Sequence, residues 1–314
     1  MQLAKKPPSW ITWGRLLRLP NLFTVPGDAA VGCFLGAGGV LTWPMALAGA
    51  CLVLVYMGGL LFNDYFDWEV DARERPERPL PSGAVAPGAV LLAAVALTLA
   101  GVVLLPTVAM TLAGVVPGFF PGALPGLAMA GVAACSLAYN AGAKKNPWAG
   151  IPLLGLCRGG GVWAGACFAG APGSPLALAA VGTVFLYTMV VSRVAAGEAK
   201  KQKYSPWLLA LPGFWVLWVV AATLLQAGRA FPLWCIPVAA PVLGFLDTAR
   251  AVQAVRAGRT GIPALVGRCL RAMLWGQLFW FLWAATAWGS VIAALVFIPA
   301  RVAAGALGRR FYGS

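Results

Sequence analysis

Asn63, Asp64, Asp67 and Asp71 recur at helical spacing where a long apolar run gives out. On a helix that continues through Asp71, at 100° per residue, the three aspartates fall within about 60° of one another and share one stripe. Like charges so close repel unless something cationic sits between them, and one or two carboxylates plus substrate phosphates are the oxygen donors that Mg²⁺ takes. Asn63 adds a neutral carbonyl and an amide donor beside them. Glu69 points to the far side of the stripe and is left out. Glu74 and Glu77 lie among Arg75, Arg78 and prolines 76, 79, 81 and 87, in a loop where neighbouring charges can pair. Residues 63–83 hold six of the chain's nine acidic side chains. An ordinary wet loop would be charged without further reason. Here the acids begin inside the last turns of an apolar segment of membrane-spanning length, where ionisable groups are costly and imply a function. Arg75 and Arg78, on a proline-stiffened loop, suit phosphate oxygens, and they serve equally as markers of the positive side of a membrane.

The elements that position these residues follow from composition. The 314 residues are 61% hydrophobic and 10% charged, with a mean hydropathy of +0.82, far from a water-soluble globule. The chain is therefore expected to be an integral membrane protein, a single domain over 1–314. Nine windows of about 20 apolar residues stand out, at roughly 21–41, 44–66, 86–106, 112–139, 150–171, 175–193, 207–227, 231–249 and 272–299. The fourth contains "VVPGFFPGALPG", which marks a loop or broken helix before a cleaner span near Gly126. The net charge of +14 does not point to nucleic acid, because the basic residues come in short clusters between apolar segments. With nine spans and the N-terminus cytoplasmic, nineteen of the 23 basic residues fall on the cytoplasmic side, Arg158, Arg268 and Arg271 among them. Arg301, Arg309 and Arg310 break the pattern, and either a re-entrant segment returns the tail or its charges are tolerated outside. The seven cysteines contain no CxxC pair and read as small buried hydrophobes. The N-terminus lacks the pattern of a cleaved signal.

"NDYFDWEVDARERPERPLPSG" resembles the first aspartate-rich motif of the UbiA superfamily of intramembrane prenyltransferases, Asn-Asp-x-x-Asp-x-x-x-Asp followed by an arginine- and proline-rich loop ending in Ser-Gly. The segment "RLLRLPNLFTVPGD", with Asn21 and Asp28, and "YNAGAKKNPWAG", with Tyr139, Asn140 and Lys144, are similar to other family segments. The resemblance implies an all-α bundle of about nine transmembrane helices around a cavity open to lipid, binding an isoprenyl diphosphate through Mg²⁺ for transfer to a small-molecule acceptor. It implies Asn63, Asp64, Asp67 and Asp71 as metal ligands, with the aspartates catalytic. Asn21, Asn63, Arg75, Arg78, Tyr139 and Lys144 become substrate contacts, and the expected location is the bacterial inner membrane. The family's second aspartate-rich motif is replaced by "YTMVVSRVAAGEAKKQKYS", where Glu198 is the only acid; Arg193 and Glu198 are expected as further substrate contacts, with Arg193 and Lys200 replacing a second metal's charge on the diphosphate. That variant, with "GLCRGGG" at 155–161, is most similar to the UbiA-like protein of the bacterial ebo cluster, associated with export of secondary-metabolite precursors. Two readings stay open: a prenyltransferase, or a carrier that binds an isoprenoid or other amphipathic anion without ionising it. Tyr65, Phe66, Tyr139, Trp163 and Tyr187 are candidate cavity aromatics. The chain contains no histidine, which suits chemistry driven by a leaving group.

Overall fold

The structure is a computed structural model and describes residues 10–112, 122–196, 207–225, 235–284 and 287–312. Among the described residues it is helical with no strand. Two short helices, α1 (Trp10–Leu16) and α2 (Leu19–Leu22), meet at Arg18, whose backbone is left-handed (φ 48°). Then come α3 (Val25–Gly36), α4 (Pro44–Phe66) and the seven-residue α5 (Trp68–Glu74). α6 (Pro87–Leu99) runs through a π-helical turn at Ala100–Leu104 into α7 (Leu105–Leu112). The remaining rods are α8 (Leu124–Ala141), α9 (Pro147–Phe168), α10 (Pro175–Ala196), α11 (Trp207–Leu225), α12 (Cys235–Arg256), α13 (Ile262–Ala284) and α14 (Ala287–Tyr312).

The starts of several rods are written in proline. Pro44, Pro87, Pro125, Pro147 and Pro175 all stand in first turns, where a missing N–H leaves nothing unsatisfied. Pro152, Pro212, Pro241 and Pro299 lie inside rods, a use tolerated in membrane bundles because neighbouring helices satisfy the freed backbone groups. Eight helices among the described residues are long and apolar enough to cross a membrane. The shorter α3 and the more polar α13 pack among them, both sharing one core cluster with α9, α10, α11, α12 and α14. α3 also joins α4, α8 and α9 in a second cluster. Leu92, Leu127, Leu217, Leu224 and Leu295 are each at least 66% exposed. A lipid-facing surface accounts for them, whereas water would not tolerate that much outward leucine.

The structure modifies three sequence expectations. The window at 272–299, 28 residues long and expected as either a tilted span or a span plus a short surface helix, is neither: it joins the second half of α13 to the first half of α14, two rods packed against each other. The extra rod turns the chain once more, and Arg301 of α14 pairs with Asp247 of α12 at 2.6 Å, so the basic tail returns to the end where α12 finishes and α13 begins. Arg158 is not in a connecting stretch; it sits eleven residues into α9, about 16 Å along the rod. Finally, the helix carrying the aspartates does not run straight. α4 ends at Phe66, and Asp67 forms a corner (φ −91°, ψ 0°) before α5. The ladder survives the bend, with Asp67 N–H donating to Asn63 O and Asp71 N–H to Asp67 O at 3.0 and 2.7 Å. The cleaner span expected near Gly126 is α8, which starts at Leu124; most of the segment expected to break the fourth window, residues 113–121, lies outside the described residues.

Candidate active site

A cavity of about 470 Å³ opens between α3, α4, α8, α9, α10 and the first half of α13. Its wall is mostly aliphatic, from Leu52, Val55, Leu60, Val132, Ile151 and Leu154. Polar groups concentrate in two places. One is a rim carrying Arg18, Asn63, Tyr139 and Lys144; the other is a buried patch carrying Asp28 and Arg158.

Behind this rim the aspartates are placed by the end of α4 and the corner that follows, and each meets its own cation. Lys144 Nζ lies 2.6 Å from Asp67 Oδ1 and donates to Asn63 Oδ1 at 3.4 Å. Arg78 Nη1 lies 2.6 Å from Asp71 Oδ2, and Arg18 Nη2 lies 3.6 Å from Asp64 Oδ1. The three acids therefore do not stand in bulk water; the side chain of Asp64 is 13% exposed and that of Asp71 is 8%. Nor are they gathered around one point: among the described residues no group of three acidic, Cys or His side chains is arranged to hold a metal ion. The lining is made by Arg18 and Lys144, with the carboxylates of Asp64 and Asp67 behind them. Lys144 owes its position to a 3₁₀ turn, Ala143–Lys145, held between Gly142 (φ 153°) and Asn146, whose Oδ1 caps α9 through the Trp148 N–H at 3.0 Å. Asn140 fastens α8 to α4 by donating to Gly59 O at 3.0 Å.

The other expected contacts divide. Tyr139 lines the cavity. Asn21 does not; it lies in the one-turn α2, and its carbonyl accepts from Thr24. Arg75 is exposed at the C-terminal end of α5. Arg193 turns from the cavity to place its guanidinium 5.2 Å from the centre of the Trp207 ring, while Ser192, Ala195 and Ala196 face inward. Glu198 and Lys200 lie outside the described residues. Among the aromatic candidates, Tyr187 is buried and donates to Cys269 O at 2.9 Å, Trp163 donates to Pro172 O, and Tyr65 packs against Leu61 and its neighbours. Tyr56, not anticipated, lines the wall.

The inner patch was missed except for Asp28. Arg158 Nε stands 2.7 Å from Asp28 Oδ2 without the alignment of a hydrogen bond. Its Nη atoms donate to Thr24 Oγ1 and Thr24 O at 3.2 and 3.0 Å. Gln277 of α13 donates to Asp28 Oδ1 and Thr24 O at 2.6 and 2.7 Å. Asp28 and Gln277 are 0% and 2% exposed, so this is a buried ion pair between α3 and α9, held by the Gln277 amide of α13 and by Thr24 just ahead of α3. The signal was available: Arg158 interrupts the otherwise uncharged α9, and the polar Gln277 interrupts the apolar second half of α13.

Comparison with known proteins places the arrangement. Residues 28–201, more than half of the chain, match the model of the UbiA prenyltransferase family. The chain belongs to the UbiA prenyltransferase family. Among curated UbiA-type relatives, digeranylgeranylglyceryl phosphate synthase of Methanoregula boonei is 43% identical over 82 residues, 26% of this chain and 29% of that protein. The enzyme of the same name from Methanothrix thermoacetophila is 49% identical over 55 residues, 18% and 21% of the two chains. The aligned segments thus span less than a third of either relative. A solved UbiA homologue from Archaeoglobus fulgidus, bound to GPP and Mg²⁺, superimposes with a TM-score of 0.60 at 16% identity, covering 93% of this chain and 99% of that one. The same homologue bound to DMAPP and Mg²⁺ gives 0.57 at 16% identity, covering 93% and 98%. These likenesses establish the UbiA fold.

Proposed function

We propose that this UbiA-family protein is a membrane prenyltransferase that moves an isoprenyl group from an isoprenyl diphosphate to a small acceptor, in a Mg²⁺-dependent reaction at the bacterial inner membrane, with its N-terminus cytoplasmic. One observation carries the reading: an apolar cavity lined by Arg18 and Lys144, which pair with Asp64 and Asp67, with a third such pair, Arg78–Asp71, following on the same chain segment. The diphosphates bound to the A. fulgidus homologue and the names of the curated relatives support the donor class.

The donor chemistry of the rim fits Mg²⁺, since Asp64, Asp67, Asp71 and Asn63 Oδ1 offer hard oxygens only. Because Mg²⁺ takes one or two carboxylates and completes its shell with phosphate and water, ligands drawn from those four would hold it without all three acids meeting at one point, and when bound it would supply charge neutralisation on a leaving diphosphate. Arg18 and Lys144 face the cavity and can pass from their carboxylates to phosphate oxygens, orienting the diphosphate at the rim. Arg78, freed from Asp71, closes from the loop side. The aliphatic wall takes the isoprenyl chain and excludes water, prolonging the life of an allylic cation until the acceptor captures it. Tyr56 and Tyr139 present ring surface along that wall. With no histidine in the chain, proton removal from the acceptor falls to a carboxylate or to the departing diphosphate.

A carrier that binds an isoprenoid or secondary-metabolite precursor without turnover is the second reading. It is favoured by the side chain of Arg193, which leaves the cavity for Trp207, and by the single acid, Glu198, in place of a second aspartate motif. In reconstituted membranes Asp64→Asn and Asp67→Asn should each lower Mg²⁺-dependent diphosphate release by roughly a hundredfold or more. Release at the wild-type rate by both variants would exclude the catalytic assignment. Glu198→Gln then tells whether that carboxylate takes part, and mass spectrometry of co-purifying lipid separates a prenylated product from a passively held isoprenoid.

A further inference from the structure

Away from the cavity, α12, α13 and α14 meet at one polar node. Asp247 Oδ2 accepts from Trp275 Nε1 at 2.7 Å and from Arg301 Nη2 at 2.6 Å, which fixes the relative heights of the three rods. At that height all three change character. Residues 236–246 of α12 are uncharged and Arg250 and Arg256 follow; α13 carries Arg268 and Arg271 before an uncharged 272–284; α14 is uncharged over 287–300, and then comes Arg301. A shared switch from apolar to basic is where a bundle meets the headgroup layer.

The charges at the node do not balance. Residues 207–314 contain nine arginines, no lysine and one acid, Asp247. Arg301 takes that acid, and among the described residues neither Arg268 nor Arg271 has an ion pair. Arg301 and Arg268 repel the charge of Arg271, and Asp247 attracts it. Nε of Arg271 and Nε of Arg301 are buried with no hydrogen-bond acceptor. Opposite Arg271 stands Gly308 of α14, where an added Cβ would come 3.1 Å from Arg271 Nη1, so the missing side chain gives the guanidinium room along α14. Beyond Arg301, on the apolar side of the switch, Val291, Leu295, Val296 and Ile298 of α14 are all outwardly exposed.

We propose that Arg271 and Arg301 form a binding site for the phosphate of an anionic phospholipid, with the acyl chains lying along the exposed face of α14. Two guanidinium forks meeting the unesterified oxygens of a phosphodiester would satisfy both orphan Nε groups and offset the surplus charge. A free phosphate shares that chemistry, but it has no use for the apolar face directly beyond the arginines.

The test uses delipidated full-length protein incubated with phosphatidylglycerol vesicles, with retained lipid counted by native mass spectrometry. Arg271→Gln should retain about fivefold less phosphatidylglycerol than wild type, while Arg309→Gln, the same charge change at an exposed position on α14, should match wild type. Equal retention by wild type and Arg271→Gln, or an equal loss in Arg309→Gln, would overturn the site in favour of diffuse attraction. Should Arg271→Gln fail to fold, Arg271→Lys decides: reduced retention supports the fork, and wild-type retention overturns it. If inorganic phosphate alone raises the melting temperature of wild type as much as the lipid does, the ligand is a free oxyanion and the lipid assignment fails.

Discussion

Arg158 and Asp28 show how a single charge is made tolerable inside a bundle. Neither would survive alone, because an unpaired ion in that setting costs several kcal/mol; the pair persists because Thr24 and Gln277 take up most of the remaining donors and acceptors. Removing one partner is therefore worse than removing both. Arg158→Met should destabilise the protein by about 3–5 kcal/mol, whereas Arg158→Met combined with Asp28→Leu should recover much of the loss, as measured by reversible unfolding in mixed micelles. Equal instability of the single and double variants would show that the pair is not the source of the cost. At this scale the sequence was legible where residue types are rare: the aspartates could be picked out because a membrane segment so seldom carries them, whereas Lys144 and Tyr139 stood out only through the resemblance of "YNAGAKKNPWAG" to a family segment. Partners were not legible. That Lys144 belongs to Asp67 and Arg18 to Asp64 depends on how α2, α4 and the turn before α9 are brought together, which no spacing along one helix encodes.

Between α3 and α9 two glycines bring the backbones themselves into contact. A Cβ on Gly32 would run into the Val162 carbonyl and one on Gly165 into that of Ala29, so the two rods approach backbone to backbone, as small residues permit in membranes. Gly165→Val should push them apart at a cost of about 1–3 kcal/mol and shift Asp28 from Arg158. Gly182→Ala, on α10, meets nothing within 4 Å and should be neutral or stabilising by up to about 1 kcal/mol. Thermal melts of the two variants in detergent check the contrast. The rods themselves were readable from apolar length, but the corner at Asp67 was not. With the i to i−4 bonds continuing on both sides of it, only a turn in the path separates α4 from α5.

On the scale of the molecule, the division of 262–312 into two rods changes the topology. An even number of passes puts the end of α14 on the side where α12 ends, in agreement with Arg301 pairing to Asp247. A reporter fused after Ser314 should therefore report the same side as one placed between Arg256 and Ile262, a result that topology mapping with cytoplasmic and periplasmic reporters would check. Opposite sides would restore the odd-numbered arrangement. Hydropathy merged the end of α13 with the start of α14 because their apolar halves adjoin across a short connection, and only the stranded arginines betrayed the join. Arg18 and Lys144 on the cavity wall, and Arg78 on the loop after α5, are each paired with an aspartate. Every cation there already has its counter-ion, so a naked polyanion would have to strip those pairs and leave three carboxylates stranded. The doorway therefore favours cargo that arrives with its own positive complement, letting acids and bases trade partners in a single exchange.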